Sequence, residues 1–224
     1  MNEARSGVEP PPDPAQAAKE GGSVRGARED EFPRVAGVLA RSFYDDPVLS
    51  WFFGDDSRRL EQLERLFGFF GSKVWFPHEL TYTTEGVIGA AVWVPPEQWR
   101  VGVLDQLRMM PGFVSSVGLR DLPHALRGFN LMESKHPNDR HYYLPLVGVE
   151  PNWQGRGIGT ALLQPMLERC DREGVAAYLE ATTPRNRTCY ERVGFEVVEE
   201  FSFPKGPPLW PMRREPHRGT DSSP

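Results

Sequence analysis

The feature that most limits how this chain can fold is a glycine-rich turn about two thirds of the way along it. Residues 146–149 have the apolar character of a strand end, and glycines at positions 155, 157 and 159 follow a loop of six or seven residues. Glycine lets the backbone approach a ligand without a Cβ clash, and the N–H groups and dipole of a helix start attract anions. Arg156 adds a positive charge with several donors. The sequence therefore predicts an anion-binding turn between a strand and a helix.

Three classes of ligand use a turn of this kind, and the spacing separates them. A nucleoside-triphosphate loop needs Gly-Lys followed by Ser or Thr, which this turn lacks. A dinucleotide fingerprint needs its third glycine one residue later, where this chain has Thr160, and it usually follows the first strand of a domain. The pyrophosphate of coenzyme A is the third class. A purely structural glycine turn is the alternative that this segment alone leaves open.

A second segment lies one predicted helix further along the chain. Residues 178–195 read YLEATTPRNRTCYERVGF. Gln154–Gly159 matches the Q/R-x-x-G-x-G/A motif of the GNAT superfamily of N-acetyltransferases. Asn186 followed by Tyr190–Phe195 resembles the second signature of that superfamily. Within it, residues 141–214 most resemble the puromycin N-acetyltransferase-like members.

The resemblance implies an α/β (α+β) fold with a mixed central sheet of six to seven strands, flanked by helices, whose fourth and fifth strands splay apart. It also implies a GNAT-type acyltransferase that takes acetyl-coenzyme A as its co-substrate, with pantetheine in the gap and the pyrophosphate on the turn. Asn186 would contact the pantetheine arm, and Tyr190 would point at the thioester sulfur. The other residues that would hold coenzyme A are Val147, Gly148, Val149, Gln154, Gly155, Arg156, Gly157, Ile158, Gly159 and Thr160.

The chemistry of acetyl transfer requires three kinds of group. Attack of an amine on a thioester places negative charge on the carbonyl oxygen, which a backbone N–H such as that of Val149 can stabilise. The leaving thiolate, with a reference pKa near ~8.5, can take a proton from the Tyr190 hydroxyl. An alkylammonium group must lose a proton before it attacks. Glu180, at the end of the predicted fifth strand, is assigned to that step, with His141 and Glu150 as alternatives.

Structural roles compete with these assignments: packing for Tyr190, and a turn cap or an ion pair for Glu180. Cys189 is expected to be a small core residue, because no base is placed beside it. The remaining histidines show no metal-ligand spacing, so no metal site is predicted. They are expected at the surface or in loops, and they are His78, His124, His136 and His217.

Hydrophobic periodicity and turn residues predict the order of the elements. A helix capped by Asp30 comes early, and residues 44–47 read as a turn-rich connection. The predicted strands cover residues 23–27, 80–83, 87–94, 141–149 and 175–180, with a final hairpin from 195–203 and 209–213. The other predicted helices cover 57–70, short segments within 98–136, about 16 residues after the glycine-rich turn, and 186–193.

Composition limits the class of protein. The 224 residues suggest one domain, residues 23–214, between disordered tails at 1–22 and 215–224, which are rich in proline or polar residues. The net charge of −5 argues against nucleic acid as a bulk electrostatic partner. No apolar stretch approaches the ~18 residues of a membrane span. With two cysteines and no signal-peptide pattern, we expect a cytoplasmic monomer or homodimer.

Three functions compete at this stage. The leading one is acetyl transfer from acetyl-coenzyme A to the primary amine of a small molecule. A peptide or protein acetyltransferase is the second, since the sequence does not show the shape of the acceptor groove. A non-catalytic regulatory module that binds coenzyme A is the third. The presence of both Asn186 and Tyr190 favours an enzyme.

Overall fold

The computed structural model describes residues 22–100 and 102–217. Of the two predicted tails it covers only residue 22 and residues 215–217, so the predictions for the rest of 1–22 and 215–224 lie outside the described residues.

Strands and helices alternate along most of the described chain. The strands are β1 (Val24–Gly26), β2 (Thr81–Thr84), β3 (Gly89–Val94), β4 (His141–Val149), β5 (Ala176–Ala181), β6 (Glu196–Val197), β7 (Phe201–Ser202) and β8 (Pro208–Arg214). The helices are α1 (Phe32–Ser42), α2 (Pro47–Phe52), α3 (Asp56–Phe70), α4 (Val103–Val117), α5 (Leu122–Lys135), α6 (Ile158–Glu173) and α7 (Pro184–Glu191). Single helical turns cover Glu29–Glu31, Gly71–Trp75, Phe76–His78 and Pro151–Trp153.

The strands form one eight-stranded sheet in the order β1-β2-β3-β4-β5-β8-β6, and β7 pairs with β8. The β4–β5 pair is parallel, and the other pairs of the described sheet are antiparallel. This confirms the predicted mixed fold. The strand count exceeds the predicted six to seven because the predicted strand 195–203 is divided into the two-residue strands β6 and β7.

Two apolar layers cover the two faces of the sheet. Alternate residues of β3 show the division: Ala90 and Val92 pack with α1, α2 and α3, whereas Ala91 and Trp93 pack with α6. Successive side chains of a strand point to opposite faces, so the fully apolar sequence of β3 is that of a strand buried on both sides. β3 therefore lies at the centre of the fold, and its neighbour β4 carries the first half of the predicted site.

A β-bulge interrupts the middle of β4. Val92 of β3 pairs with Leu146 and Val94 pairs with Tyr143, so two steps along β3 correspond to three along β4. The extra residue falls at Leu144–Pro145, and proline has no N–H to give to a strand ladder. A bulge bends its strand, and the pairing of β4 with β5 ends at Tyr143, where this bend begins.

The region before β2 and the region between β3 and β4 differ from the predictions. Residues 47–52 form the helix α2, where the sequence predicted only a turn. The short helices expected within 98–136 are the longer α4 and α5, of 15 and 14 residues. Pro123 does not end α5 because it lies in the first turn, where a backbone N–H has no helical partner anyway.

A buried carboxylate connects the first strand to the first helices. Glu31 is 4% exposed and accepts hydrogen bonds from the Arg25 guanidinium at 2.7 and 2.8 Å and from the Arg28 N–H at 2.9 Å. Arg25 also contacts Glu85 in the turn between β2 and β3 at 3.1 Å. These bonds to the charged form, led by those from Arg25, lower the pKa of Glu31 to about 2. The edge strand β1 is thereby held to α1 by charge as well as by its ladder.

None of the helices in the described ranges has the length and apolar character needed to cross a bilayer. Among the same residues, no group of three or more His, Cys, Asp or Glu side chains is arranged like a metal site.

Candidate active site

The parallel strands β4 and β5 separate part-way along their length. Their register pairs His141 with Ala176 and Tyr143 with Tyr178, and the pairing stops there. Beyond that point β4 continues as far as Val149 along β3. β5 continues along β8. The bulge in β4 thus produces the splayed strands that the sequence predicted, and the open edges of both strands face a gap.

A cavity of about 450 Å³ lies at this gap on the side of the glycine-rich turn. Gly155 and Gly157 both have φ of +78°, a conformation that favours glycine, and Gly157 caps the N-terminus of α6. A Cβ at Gly155 would have the Arg185 guanidinium, 4.0 Å away, as its nearest neighbour, so the turn is open to a ligand. The predicted residues that line this cavity are Val147, Gly148, Val149, Gln154, Gly155, Gly157, Ile158, Gly159, Thr160, Asn186 and Tyr190.

Arg156 is the predicted coenzyme A residue that does not line this cavity. Its guanidinium lies over the Trp153 ring, 4.9 Å from the ring centre, which is a cation–π distance. Arg185 and Arg192 line the cavity instead. The arginines that line this cavity therefore come from α7 and the residue that follows it.

The end of β4 is held by α1 and by the turn. The Val149 N–H donates to the Ser42 hydroxyl at 3.1 Å, and its carbonyl accepts from the Gln154 amide, also at 3.1 Å. Helix α1 approaches so closely that a Cβ on Gly148 would lie 2.7 Å from Ser42 Oγ. The Val149 N–H, the predicted oxyanion donor, thus already has the Ser42 hydroxyl as its acceptor. To bind the acetyl oxygen, this N–H must share its hydrogen bond between Ser42 and the substrate or lose the bond to Ser42.

A second cavity, of about 250 Å³, lies on the other side of Tyr190 and is lined mostly by aromatic and aliphatic side chains. It shares Asp46, Val147, Asn186 and Tyr190 with the first cavity, so the two meet at the gap between β4 and β5. A third cavity, of about 290 Å³ beneath α4 and α5, shares several wall residues with the second. The shared residues are Phe70, Trp99, Phe129, Met132, Tyr143 and Glu180.

Tyr190 stands where the first two cavities meet, on the short helix α7. The Thr183 hydroxyl caps this helix by accepting from the Asn186 N–H at 3.1 Å, which sets the direction of the helix. Burial raises the pKa of Tyr190 above its ordinary value, and neighbouring Cys189 and Asp46 raise it further. At neutral pH the phenol therefore holds its proton and is available as a donor.

Glu180 and two buried histidines form a chain at the wall of the second and third cavities. Glu180 Oε1 lies 3.5 Å from His136 Nδ1, and these side chains are 6% and 4% exposed. His136 Nε2 lies 2.9 Å from His141 Nε2, and His141 Nδ1 lies 2.8 Å from the Asp139 carbonyl oxygen. Burial, and then the neighbouring His136, lower the pKa of His141. Two of the predicted candidate bases are thus connected through a histidine that the sequence analysis had not selected.

Several known proteins resemble this chain. A profile of the acetyltransferase (GNAT) domain matches residues 129–216. An uncharacterized N-acetyltransferase of Schizosaccharomyces pombe is 25% identical over 200 residues, which cover 83% of this chain and 80% of that protein. A solved structure from Corynebacterium glutamicum, described as histone acetyltransferase HPA2 and related acetyltransferase, has a TM-score of 0.65 at 25% identity, over 88% of this chain and 98% of that one. Residues 129–216 thus match an acetyltransferase (GNAT) domain, and the described chain has the corresponding fold.

Two further relatives are more distant or only partly covered. A mycothiol acetyltransferase of Propionibacterium freudenreichii is 35% identical over 141 residues, which are 58% of this chain but only 43% of that protein. The chain thus spans less than half the length of that relative. Arylalkylamine N-acetyltransferase 2 from Aedes aegypti shares the fold, with a TM-score of 0.57 at 11% identity over 87% of this chain and 98% of that one.

Three residues lie in surroundings that differ from the sequence-based expectation. Glu150, an alternative base, lines neither the second nor the third cavity and forms an ion pair with Arg41 at 2.6 Å. His136 lies in the loop after α5, as expected, but it is only 7% exposed, since its ring lies against Trp99 at 3.7 Å between ring centres. The prediction of Cys189 as a core residue is wrong: it is exposed and lines the first cavity, because α7 has no buried residue.

Asp46 lines both the first and the second cavity, and the sequence analysis did not select it as a site candidate. It is 8% exposed, and one carboxylate oxygen accepts from the N–H groups of Val48 and Leu49 at 3.0 Å each, capping α2. Its other oxygen accepts from the Thr182 hydroxyl across the gap. Burial raises the pKa of the Asp46 carboxyl, against the hydrogen bonds, which lower it. The Asp-Pro pair was the available signal, since it is typical of a helix N-cap followed by its first residue.

Proposed function

We propose that this chain transfers the acetyl group of acetyl-coenzyme A to the primary amine of a small molecule. The observation that carries the proposal is the meeting of two unlike cavities at the β4–β5 gap, with Asn186 and Tyr190 in the walls of both. One cavity has a glycine-rich turn and arginines, and the other has apolar walls. Two substrates of different chemistry can therefore approach the same phenol from two sides.

The glycine-side cavity has the groups that coenzyme A needs. The backbone of Gly155 and Gly157 is open at the start of α6, where N–H groups and the helix dipole favour phosphate. Arg185 and Arg192 would neutralise phosphate charge, and the strand from Val147 to Val149 would hold the pantetheine arm. When bound, acetyl-coenzyme A supplies an activated acetyl thioester.

The apolar cavities favour a small acceptor with an apolar body. Their walls include rings such as Trp99 and Phe129, and Glu180 is the acidic side chain that both share. Aromatic faces and a carboxylate together suit an ammonium group attached to apolar atoms. Helices α4 and α5 contribute wall residues, which limits the length of a bound chain. The resemblance of residues 141–214 to puromycin N-acetyltransferase-like members also supports a small-molecule acceptor.

Three groups of the chain then perform the transfer. Glu180 takes a proton from the substrate ammonium, which leaves a neutral amine able to attack. The Val149 N–H stabilises the negative charge that develops on the acetyl oxygen, once Ser42 shares it. Tyr190 donates its proton to the departing thiolate and regains one from the nitrogen that has been acylated. The apolar walls exclude water from the thioester.

Release of free thiol from acetyl-coenzyme A, with mass spectrometry of the acceptor, tests this function. We would assay aralkylamines, long alkylamines, a hydrophilic polyamine, and peptides with free N-termini or lysines, each against a no-acceptor control. The proposal predicts the highest kcat/KM for amines with an apolar body. Preferential acetylation of peptides would point to the peptide acetyltransferase alternative. Coenzyme A binding without acetylation of any amine would support the regulatory alternative and contradict the proposal.

A further inference from the structure

Two buried histidines touch through their Nε2 atoms, and the proposed function uses neither. His136 and His141 are 7% and 1% exposed, and their Nε2 atoms are 2.9 Å apart. A contact of this length holds one proton, because two N–H groups facing each other would clash and two lone pairs would repel. The two rings must therefore be in different protonation patterns.

The far end of the pair decides which ring donates. His141 Nδ1 lies 2.8 Å from the Asp139 carbonyl oxygen, which only accepts, so Nδ1 carries the hydrogen. Burial lowers the pKa of His141, which keeps the ring neutral, so its Nε2 is an acceptor. His136 must then donate from Nε2. The remaining nitrogen of His136, Nδ1, then lies 3.5 Å from a Glu180 oxygen, which repels the lone pair of a neutral ring and attracts Nδ1 once it carries a proton.

We propose that His136 is a positioning residue that stores the substrate's proton for Glu180, and that His141 and the Asp139 carbonyl hold it in the tautomer that presents Nδ1 to the carboxylate. The proposal rests on the acetyl transfer proposed above. It assigns a function to two histidines outside both sequence motifs, and it explains why a carboxylate stands next to an imidazole in a cavity with apolar walls.

The groups around the pair are compatible with this role. The rings of Tyr143 and Tyr178 lie 4.7 and 4.6 Å from that of His136, and burial, followed by the Glu180 carboxylate, raises the pKa of both phenols. Both phenols therefore stay protonated. Arg100 lines the same cavity, with its guanidinium 4.6 Å from the centre of the Trp99 ring. Glu133 is also in the cavity wall, and two ion pairs lie nearby, Arg213 with Asp139 and Lys135 with Glu199.

The proton can be followed from start to end. An ammonium N–H bond of the substrate breaks as its proton passes to a Glu180 oxygen, and an N–H bond forms when that proton moves to His136 Nδ1. Glu180 and His136 together change from a carboxylate beside a neutral imidazole to a carboxylate beside an imidazolium, so their net charge rises by one. His141 cannot pass the proton on, because the Asp139 carbonyl does not accept one. Glu180 and His136 therefore hold the proton until the product leaves and then release it to solvent.

Nitrogen-15 NMR of the histidine rings tests the tautomers in the wild-type protein, without any substitution. When both rings are neutral, we expect His141 as the Nδ1–H tautomer and His136 as the Nε2–H tautomer. On acidification, the resonance of His136 Nδ1 should change first. A His141 ring found as the Nε2–H tautomer would overturn the proposal.

Kinetics of a His136→Gln variant, with His124→Gln as a matched histidine control, tests the stored proton. For alkylamines at saturating acetyl-coenzyme A, kcat at pH 7 should fall by about 10²-fold, at the low end for general base catalysis. The acid limb of the kcat profile should move to lower pH, because the proton taken from the substrate then has only the carboxylate to bind. For an alkoxyamine, which is already neutral at pH 7, kcat should fall only slightly. His124 packs on Trp51 outside the cavities, so its variant should keep the wild-type profile.

Because His136 is buried, a second variant is needed to distinguish a loss of chemistry from a loss of structure. His136→Ala opens space for free imidazole, which should restore part of the alkylamine rate if the ring acts as a proton store. Equal losses for alkylamines and the alkoxyamine, with no shift of the acid limb and no rescue by imidazole, would show a purely structural role. Wild-type protein that acetylates no amine would instead contradict the proposed function, while the NMR result would still decide the tautomers.

Discussion

At the scale of single residues, the site depends on side chains whose proton affinity is set by burial. Tyr190 is the clearest case, because burial raises the pKa of a group that is asked to donate a proton. A thiolate with a reference pKa near ~8.5 is a weaker base than a phenolate near ~10, so full proton transfer from Tyr190 is uphill. The phenol therefore gives up its proton to the sulfur only as the acylated nitrogen returns one, which places the gain from this donor at the low end for acid catalysis.

This argument gives a magnitude for Tyr190→Phe. We expect kcat to fall by ~10²-fold, the low end for acid catalysis, with coenzyme A affinity nearly unchanged because the ring is kept. The measurement is kcat with a reactive amine at saturating acetyl-coenzyme A, beside calorimetry of coenzyme A binding. Turnover within about twofold of wild type would leave Tyr190 as a packing residue.

At the scale of elements, the sequence predicted the segments whose pattern is local. β4 and the 16-residue helix α6 lie where predicted, because strand character, a glycine turn and helical periodicity are all read from neighbouring residues. The bulge in β4 was missed, although Pro145 within a strand pattern is a local signal for one. Helix α2 was missed because its Asp46-Pro47 start was taken only as a turn.

The glycine-rich turn is the element whose backbone can be tested most directly. Gly157→Val places a β-branched side chain at φ +78° in the proposed phosphate cradle, so coenzyme A affinity should fall by about tenfold or more. Gly174→Val is a matched control at the other end of α6, where φ is +64° and no atom lies within 4 Å of the added Cβ. Both variants should lose comparable stability, roughly 1–3 kcal/mol of strain.

Calorimetry and thermal unfolding of both variants separate the two effects. Only Gly157→Val should weaken coenzyme A binding. An unchanged affinity in Gly157→Val would place the coenzyme elsewhere, and an equal loss in Gly174→Val would mean that helix strain alone explains the result.

The attachment of β1 to α1 predicts how acid acts on this element. The pKa of Glu31 is lowered to about 2 from 4.5, so the folded state binds this proton less readily than the unfolded state. The stabilisation is complete above the unfolded pKa and is lost as the pH falls through the folded pKa, that is, from about 4.5 down to about 2. Urea unfolding at pH 6 and pH 3 should show a smaller loss of stability in Glu31→Gln than in wild type. Equal losses would contradict the assignment to Glu31.

At the scale of the whole molecule, the sequence could not predict contacts between distant segments. Thr182 meets Asp46 across 136 positions, and Val149 meets Ser42 across 107. The contact of His136 with Glu180 depends on where α5 ends relative to β5, which no local pattern encodes. The motifs therefore predicted most residues of the glycine-side cavity, whereas the walls of the second cavity depend on how α1, α2 and α5 pack against the sheet.

The last prediction concerns the N-terminal boundary of the folded unit. Residues 1–22 have a proline-rich, weakly apolar composition that predicts no packed structure, whereas Val24–Gly26 form β1, whose Arg25 contacts Glu31 and Glu85. Deleting residues 1–22 should leave the Tm and the coenzyme A affinity unchanged. Deleting residues 1–26 also removes the β1–β2 ladder and the partner of Glu31, and should lower the Tm by several degrees, since ~1 kcal/mol corresponds to roughly 2–4 °C at this size. A comparable drop on deleting residues 1–22 alone would mean that this segment packs on the domain.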